Sequence, residues 1–317
     1  MMRPTSPMSL ALATLATSAL ATLPASAATF VTTELVLSVD ASASVNGTEF
    51  NLQRQGYVNA FRDPELISLI EGSGSGIAVT LQYWSTTPAA SLGWFHITDA
   101  ASAESFAAAI EAAARPSSSF FTGIGTTTNI AGAINAAASL LTTNDFIGDR
   151  LVIDVSGDGR QNENATATDY CGTSDFSAEC LNLVTGARNA AVAKNITING
   201  LPILTDIGNL DSYFQSYVIG GEDAFVQPAS SFADFETALK TKVKREISVG
   251  LPEPEPEPEP EPVVQIPPVP APPVIIVTPP VPVADSDPQS VPEPSALLGL
   301  LGLVFWASQS LKVRRHA

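Results

Sequence analysis

Glu34-Leu35-Val36-Leu37-Ser38-Val39-Asp40-Ala41-Ser42-Ala43-Ser44 is the stretch that decides the fold of this chain. Residues 34–39 form a mainly apolar run that stops at an acid, which reads as a buried strand ending at Asp40. An acid and two hydroxyls follow at alternate positions. Residues 48–61 then place Phe50, Tyr57 and Phe61 on one helical face, with Asp63-Pro64 as the stop. A strand, a short polar loop and a helix make the opening unit of an alternating chain.

The alternation continues. Residues 77–84 read as a second strand, and residues 92–97 as a third whose short spacing implies an antiparallel edge. Residues 101–114 are helical and halted by Pro116. In 129–141, Ile130, Ala133, Ile134, Ala137, Leu140 and Leu141 recur at helical spacing. Strands are expected at 151–155, 196–201 and 217–219, and a helix at 181–194. Phe232, Phe235, Leu239, Val243 and Ile247 mark a last amphipathic helix. This pattern predicts an α/β domain over residues 28–250, a mostly parallel central sheet with helices on both faces. Ligands in such Rossmann-like folds sit beyond the carboxyl ends of strands, where the strand order switches.

Two strand ends carry oxygen donors. Asp40, Ser42 and Ser44 offer one carboxylate and two hydroxyls, a set suited to a hard cation such as Mg²⁺. Val155-Ser156-Gly157-Asp158-Gly159 follows an apolar strand, and its glycines are expected to permit a tight turn that aims Asp158 off the sheet. Gly125-Thr126-Thr127-Thr128-Asn129 opens a helix and adds hydroxyls. Each piece alone is also an ordinary turn or cap; their joint placement at element ends points to a site.

The formal charge of −17 argues against nucleic acid, which needs clustered Lys and Arg. Enzyme signatures are thin. The chain has two histidines, His96 and His316, and His96 sits in an apolar-aromatic stretch that reads as a packed strand. There is no Gly-x-Ser-x-Gly elbow. Gly72-Ser73-Gly74-Ser75-Gly76 precedes a strand instead of following one, so it is a connection and not a phosphate loop. A metal-assisted hydrolase on Asp40 and Asp158 is the least favoured alternative.

The ends carry an address. Arg3, the alanine-rich run 8–23 and Pro24-Ala25-Ser26-Ala27 form a signal peptide over residues 1–27, cut by signal peptidase after Ala27. In an exported chain the two cysteines, Cys171 and Cys180, favour one disulfide. Residues 251–290 are rich in Pro, with alternating Glu-Pro at the start. Proline lacks a donor and like charges repel, so this is a disordered, extended stalk of about 3.1 Å per residue. Residues 291–317 hold Pro292-Glu293-Pro294, a short apolar helix at about 296–311 and a tail with Arg314 and Arg315. That helix is roughly 25 Å long against a hydrocarbon core of about 30 Å, and its basic tail stays cytoplasmic.

Two resemblances follow from these residues. The last 25 or so residues resemble the PEP-CTERM sorting signal. That implies export in a Gram-negative bacterium, transient anchoring in the inner membrane, cleavage by an exosortase, and release to the cell surface, outer membrane or extracellular matrix. Residues 32–246 resemble the von Willebrand factor type A (VWA) domain with its metal-ion-dependent adhesion site, in particular a secreted bacterial subgroup of unestablished function. The matching segments are Asp40-Ala41-Ser42-Ala43-Ser44, Thr128-Asn129-Ile130-Ala131-Gly132-Ala133-Ile134 and Ser156-Gly157-Asp158-Gly159. The resemblance implies that Ser42, Ser44 and Thr128 coordinate Mg²⁺ (or Mn²⁺ or Ca²⁺), and that Asp40 and Asp158 act through bound water. A carboxylate from a protein or polysaccharide partner completes the shell. Where many relatives have Thr-Asp-Gly this chain has Ser-Gly-Asp-Gly, which leaves Asp154 as a poorer candidate for the third acid. The function implied is surface binding without catalysis; the alternative is a structural component of envelope or exopolysaccharide matrix.

Overall fold

Strand β1 (Thr29–Asp40) lies at the centre of a five-stranded sheet in the order β3-β2-β1-β4-β5. In this computed structural model, residues 28–117, 119, 122–164 and 177–249 are described. The expected signal peptide, stalk and sorting signal, and Cys171, lie outside them. β2 (Ile77–Trp84) and β4 (Phe146–Gly157) flank β1 in parallel, and β5 (Ile196–Pro202) lies parallel to β4. β3 (Phe95–Ile97) is the antiparallel edge, shorter than the expected 92–97. The α/β fold with a mostly parallel sheet is therefore as expected.

Both faces are covered. On one, α1 (Gly47–Phe61), α2 (Pro64–Gly72), α3 (Ala100–Ala112) and α7 (Phe235–Ser248) pack Phe50, Phe61, Leu66, Phe106 and Leu239 against Leu35, Leu37 and Val39. On the other, α4 (Ile130–Thr142) and α5 (Ala178–Val192) lay Ile134, Ala137 and Val184 on Val36, Ile153 and Val155. Adjacent residues of β1 thus serve opposite cores, which is why its sequence is apolar throughout and not alternating. Each large aliphatic or aromatic side chain buried this way contributes roughly 1.5–3 kcal/mol.

The chain steps from β1 to β2 and β3 on one side, then returns to β4 on the other. Strand order reverses between β1 and β4, so the loops after Asp40 and Gly157 leave the carboxyl end of the sheet at its switch point, where such folds place their ligands.

Three expectations need correction. Asp63-Pro64 ends α1 but also starts α2: Asp63 caps the Glu65 and Leu66 amides, and Pro64 occupies the first turn, where a missing N–H is harmless. Residues 217–219 are not a strand. α6 (Leu210–Tyr213) runs into a π-helical turn at Phe214–Val218, whose buried Phe214 and Val218 pack in the α5 core; only Gly220 bridges to Ile198 of β5. His96 is on β3 as expected but is exposed, with a ring nitrogen 2.9 Å from the Ser75 carbonyl oxygen. Cys180 is buried in the first turn of α5. Among the described residues no helix is long and apolar enough to cross a membrane.

Candidate metal centre

The residues expected to form a site meet at this switch point. β1 buries Asp40 completely at its last position. The Ser42 amide donates to Asp40 Oδ1 at 2.7 Å, folding the chain back over the carboxylate. The Ser42 and Ser44 hydroxyl oxygens lie 3.1 Å apart, and Ser44 donates to Asp158 Oδ1 at 2.8 Å. The loop after β1 is thereby joined to the loop after β4. Ala43 N–H donates to the Thr126 carbonyl, which brings in the third loop.

The glycines at 157 and 159 are needed for clearance. The chain bends at Asp158 and Gly159 directly after β4, and neither glycine adopts positive φ. A Cβ on Gly157 would stand 2.9 Å from Asp40 Oδ2, and one on Gly159 3.0 Å from Thr128 Oγ1. Backbone can come this close to both donors only without a side chain. Thr128 is buried, and its amide and carbonyl are held by Asn162.

Two carboxylates are therefore buried side by side. Asp40 Oδ2 and Asp158 Oδ2 have no hydrogen-bond partner. Burial pushes the Asp40 carboxyl up to about 8; the Asp158 charge adds to this and the Ser42 amide opposes it. Burial also raises Asp158, with Ser44 opposing and Asp206 and Glu49 reinforcing. An arrangement that penalises two negative charges and leaves two oxygens unsatisfied fits a divalent cation. Among the described residues no group of three or more His, Cys, Asp or Glu forms a metal cluster. The donors here are two carboxylates and hydroxyls, the set that suits Mg²⁺-type ions over soft metals.

Asp154, the weaker candidate, is elsewhere. It points to the opposite face of β4, 2.7 Å from Lys242 of α7. Asp158 is the acid that faces Asp40.

The sequence reading missed the scaffold. Gln161, Asn162 and Glu163, just after Asp158, latch the 126–131 segment: Gln161 accepts from Ala131 N–H at 3.0 Å, Asn162 from Thr128 N–H at 2.8 Å, and Glu163 from the Thr127 hydroxyl. The Thr127 and Thr86 hydroxyls lie 2.6 Å apart. Proximity to Asp158 was the one available signal. Arg115, which engages carbonyls of the first loop, gave none.

Among solved structures, the PilB minor pilin from Streptococcus sanguinis is similar over 72% of this chain and 63% of its own, at 12% identity and a TM-score of 0.51. The vWF domain of the type V pili tip protein Mfa5 from Porphyromonas gingivalis matches over 72% of this chain and 98% of its own, at 12% identity and a TM-score of 0.46. For a crystal structure of the pilus adhesin SpaC from Lactobacillus rhamnosus GG the figures are 69%, 30%, 15% and 0.49. This chain thus spans under a third of SpaC. At these identities the likeness is one of fold, an α/β architecture shared with PilB. Comparison with curated proteins gives no match. The DUF1194 family, described as a protein of unknown function, matches residues 30–250, and the chain belongs to that family.

Proposed function

We propose that the domain is a metal-ion-dependent binding module displayed at the surface of a Gram-negative bacterium. The observation that carries this is the pair of buried carboxylates with unsatisfied oxygens, Asp40 and Asp158, facing hydroxyls at the switch point of the sheet. Asp40, Ser42, Ser44, Thr128 and Asp158 would hold Mg²⁺, with Mn²⁺ or Ca²⁺ as alternatives. Few of these donors are charged. The ion would supply a Lewis-acidic point for a carboxylate on a protein or polysaccharide partner. Non-catalytic binding is the reading that follows, and PilB being a minor pilin accords with surface display.

The ends complete the proposal. Removal of residues 1–27 by signal peptidase, a Cys171–Cys180 bridge, transient anchoring by the 296–311 helix and exosortase cleavage near Pro292-Glu293-Pro294 would place the domain outside on its stalk. Intact-mass analysis of surface-released protein, with thiol counting before reduction, tests this. An extracellular species that still carries Arg314 and Arg315, or two free thiols, contradicts it.

The function itself is tested by calorimetric titration of the purified chain with Mn²⁺, followed by capture from cell surfaces with and without EDTA. Saturable one-site Mn²⁺ binding and EDTA-sensitive capture are expected. Capture unaffected by EDTA, with a melting temperature that EDTA lowers, assigns the ion a structural role in a matrix component instead.

A further inference from the structure

Arg115 engages the first loop through its backbone carbonyls. One guanidinium nitrogen, Nη2, donates toward three carbonyls of that loop: Val45 at 2.5 Å, Ser42 at 3.2 Å and Ala41 at 3.3 Å. The guanidinium carbon lies 5.3 Å from the centre of the Phe50 ring. The segment bearing Arg115 is tethered in turn, since Arg54 donates to the Ala113 carbonyl at 3.2 Å.

A loop that turns its hydroxyls one way must turn carbonyls another, and buried carbonyls without partners cost free energy. Here one cation collects them, sharing the Ser42 carbonyl with the Val45 amide. We propose that Arg115 is a positioning residue for the metal centre: it holds the 41–45 loop in the shape that presents Ser42 and Ser44 before any ion arrives. The proposal rests on the metal-binding reading above and adds a residue outside its donor set. Pre-organisation of this kind strengthens binding by removing the loss of loop freedom that accompanies it. A competing effect exists, because a guanidinium charge close to the site also repels a divalent ion. The two make opposite forecasts, so the sign of the affinity change decides between them.

The experiment compares the wild-type chain with Arg115→Gln and Arg115→Lys by three measurements: Mn²⁺ affinity by calorimetry, metal-free melting temperature, and metal-free amide exchange at residues 41–45. For Arg115→Gln the expected result is Mn²⁺ affinity weakened on the order of tenfold, with faster exchange confined to the loop and little change in melting. Arg115→Lys, which keeps a cation with three donors, is expected to recover part of both. Unchanged or tighter Mn²⁺ binding in Arg115→Gln overturns the proposal. Faster exchange across the whole sheet with a large fall in melting temperature overturns it too, since that marks a general structural role. If the wild-type chain binds no Mn²⁺ the function proposed above fails, while loop exchange in the metal-free variants still decides whether Arg115 orders the loop.

Discussion

Asp154 and Asp158 lie four residues apart along β4 and its exit, and both are almost wholly buried, yet they meet opposite surroundings. Asp154 is in the middle of the strand, 2.7 Å from Lys242, which also pairs with Glu246; Asn199 donates to Glu246 at 2.8 Å. Burial pushes the Asp154 carboxyl up and Lys242 works against it. Asp158 has left the sheet, and its neighbours are Asp40, Ser44 and an acidic rim with Asp206 and Glu49. Lys242 supplies a cation to the first acid; among the described residues none forms an ion pair with Asp40 or Asp158. A buried carboxylate needs positive charge from somewhere. Where α7 provides it, the result is a closed knot that fastens a helix to the sheet. Where none of the described basic side chains reaches in, the result is a receptive site.

The largest effect should come from opening the closed knot. Lys242→Met leaves Asp154 and Glu246 buried without their cation, and should destabilise the domain by about 3–5 kcal/mol in urea unfolding, with or without Mg²⁺. Replacing Asp154, Lys242 and Glu246 together by Leu, Met and Leu should recover most of that loss, because no lone charge remains. A single variant as stable as wild type would mean the knot is not a real ion cluster.

Next in size is Gly157→Ala. The added methyl meets Asp40 Oδ2 at 2.9 Å and backbone cannot easily retreat. Mg²⁺ affinity should fall about tenfold, equivalent to about 1.4 kcal/mol, with a much smaller change in metal-free melting. Equal affinity in calorimetric titration would show that Asp40 Oδ2 takes no part in binding.

The pH response should also report on the buried acids. Asp40 is raised from 3.8 to about 8 in the folded chain. Between those values the folded state keeps a proton that the unfolded state has released, so metal-free stability should decline as pH rises from about 4 to about 8. Ion binding displaces that proton, so Mg²⁺ affinity should climb over the same window. Asp154, raised to about 7, contributes a decline of the same sign, so Asp40→Asn should reduce the stability trend without abolishing it, as measured by denaturant midpoints across pH. The smallest effect belongs to His96→Ala. Its exposed ring has one hydrogen bond, to Ser75, and one ring contact, with Phe146, so stability should change by about 0.5 kcal/mol or less and the metal response by nothing.

Much of this was legible in the chain. Apolar runs made β1, β2, β4 and β5 visible because strands buried on both faces need no polar alternation, and Asp40, Ser42, Ser44 and Asp158 stood out as polar residues at their ends. What stayed hidden depends on contacts between distant residues. Lys242 looks like any charged position on an amphipathic helix until its partner 88 residues earlier is known. Arg115 serves a loop 70 to 74 residues before it and belongs to no motif. The π-helical turn at Phe214–Val218 was mistaken for a strand because its two core contacts are too few to show a period. The glycines at 157 and 159 were assigned to conformation, although their role is space, which no single-sequence pattern distinguishes.

The central claim is that Asp40 and Asp158 form a receptor for a divalent ion, and calorimetric melting of wild type and Asp40→Ala with and without Mg²⁺ tests it most directly. At a hundred times the dissociation constant, wild type should gain about 2.7 kcal/mol. Asp40→Ala should gain almost nothing, while matching or exceeding wild type in metal-free buffer because one of two repelling acids is gone. The same Mg²⁺-induced shift in both proteins would contradict the account and reduce Asp40-Ala41-Ser42-Ala43-Ser44 to a turn.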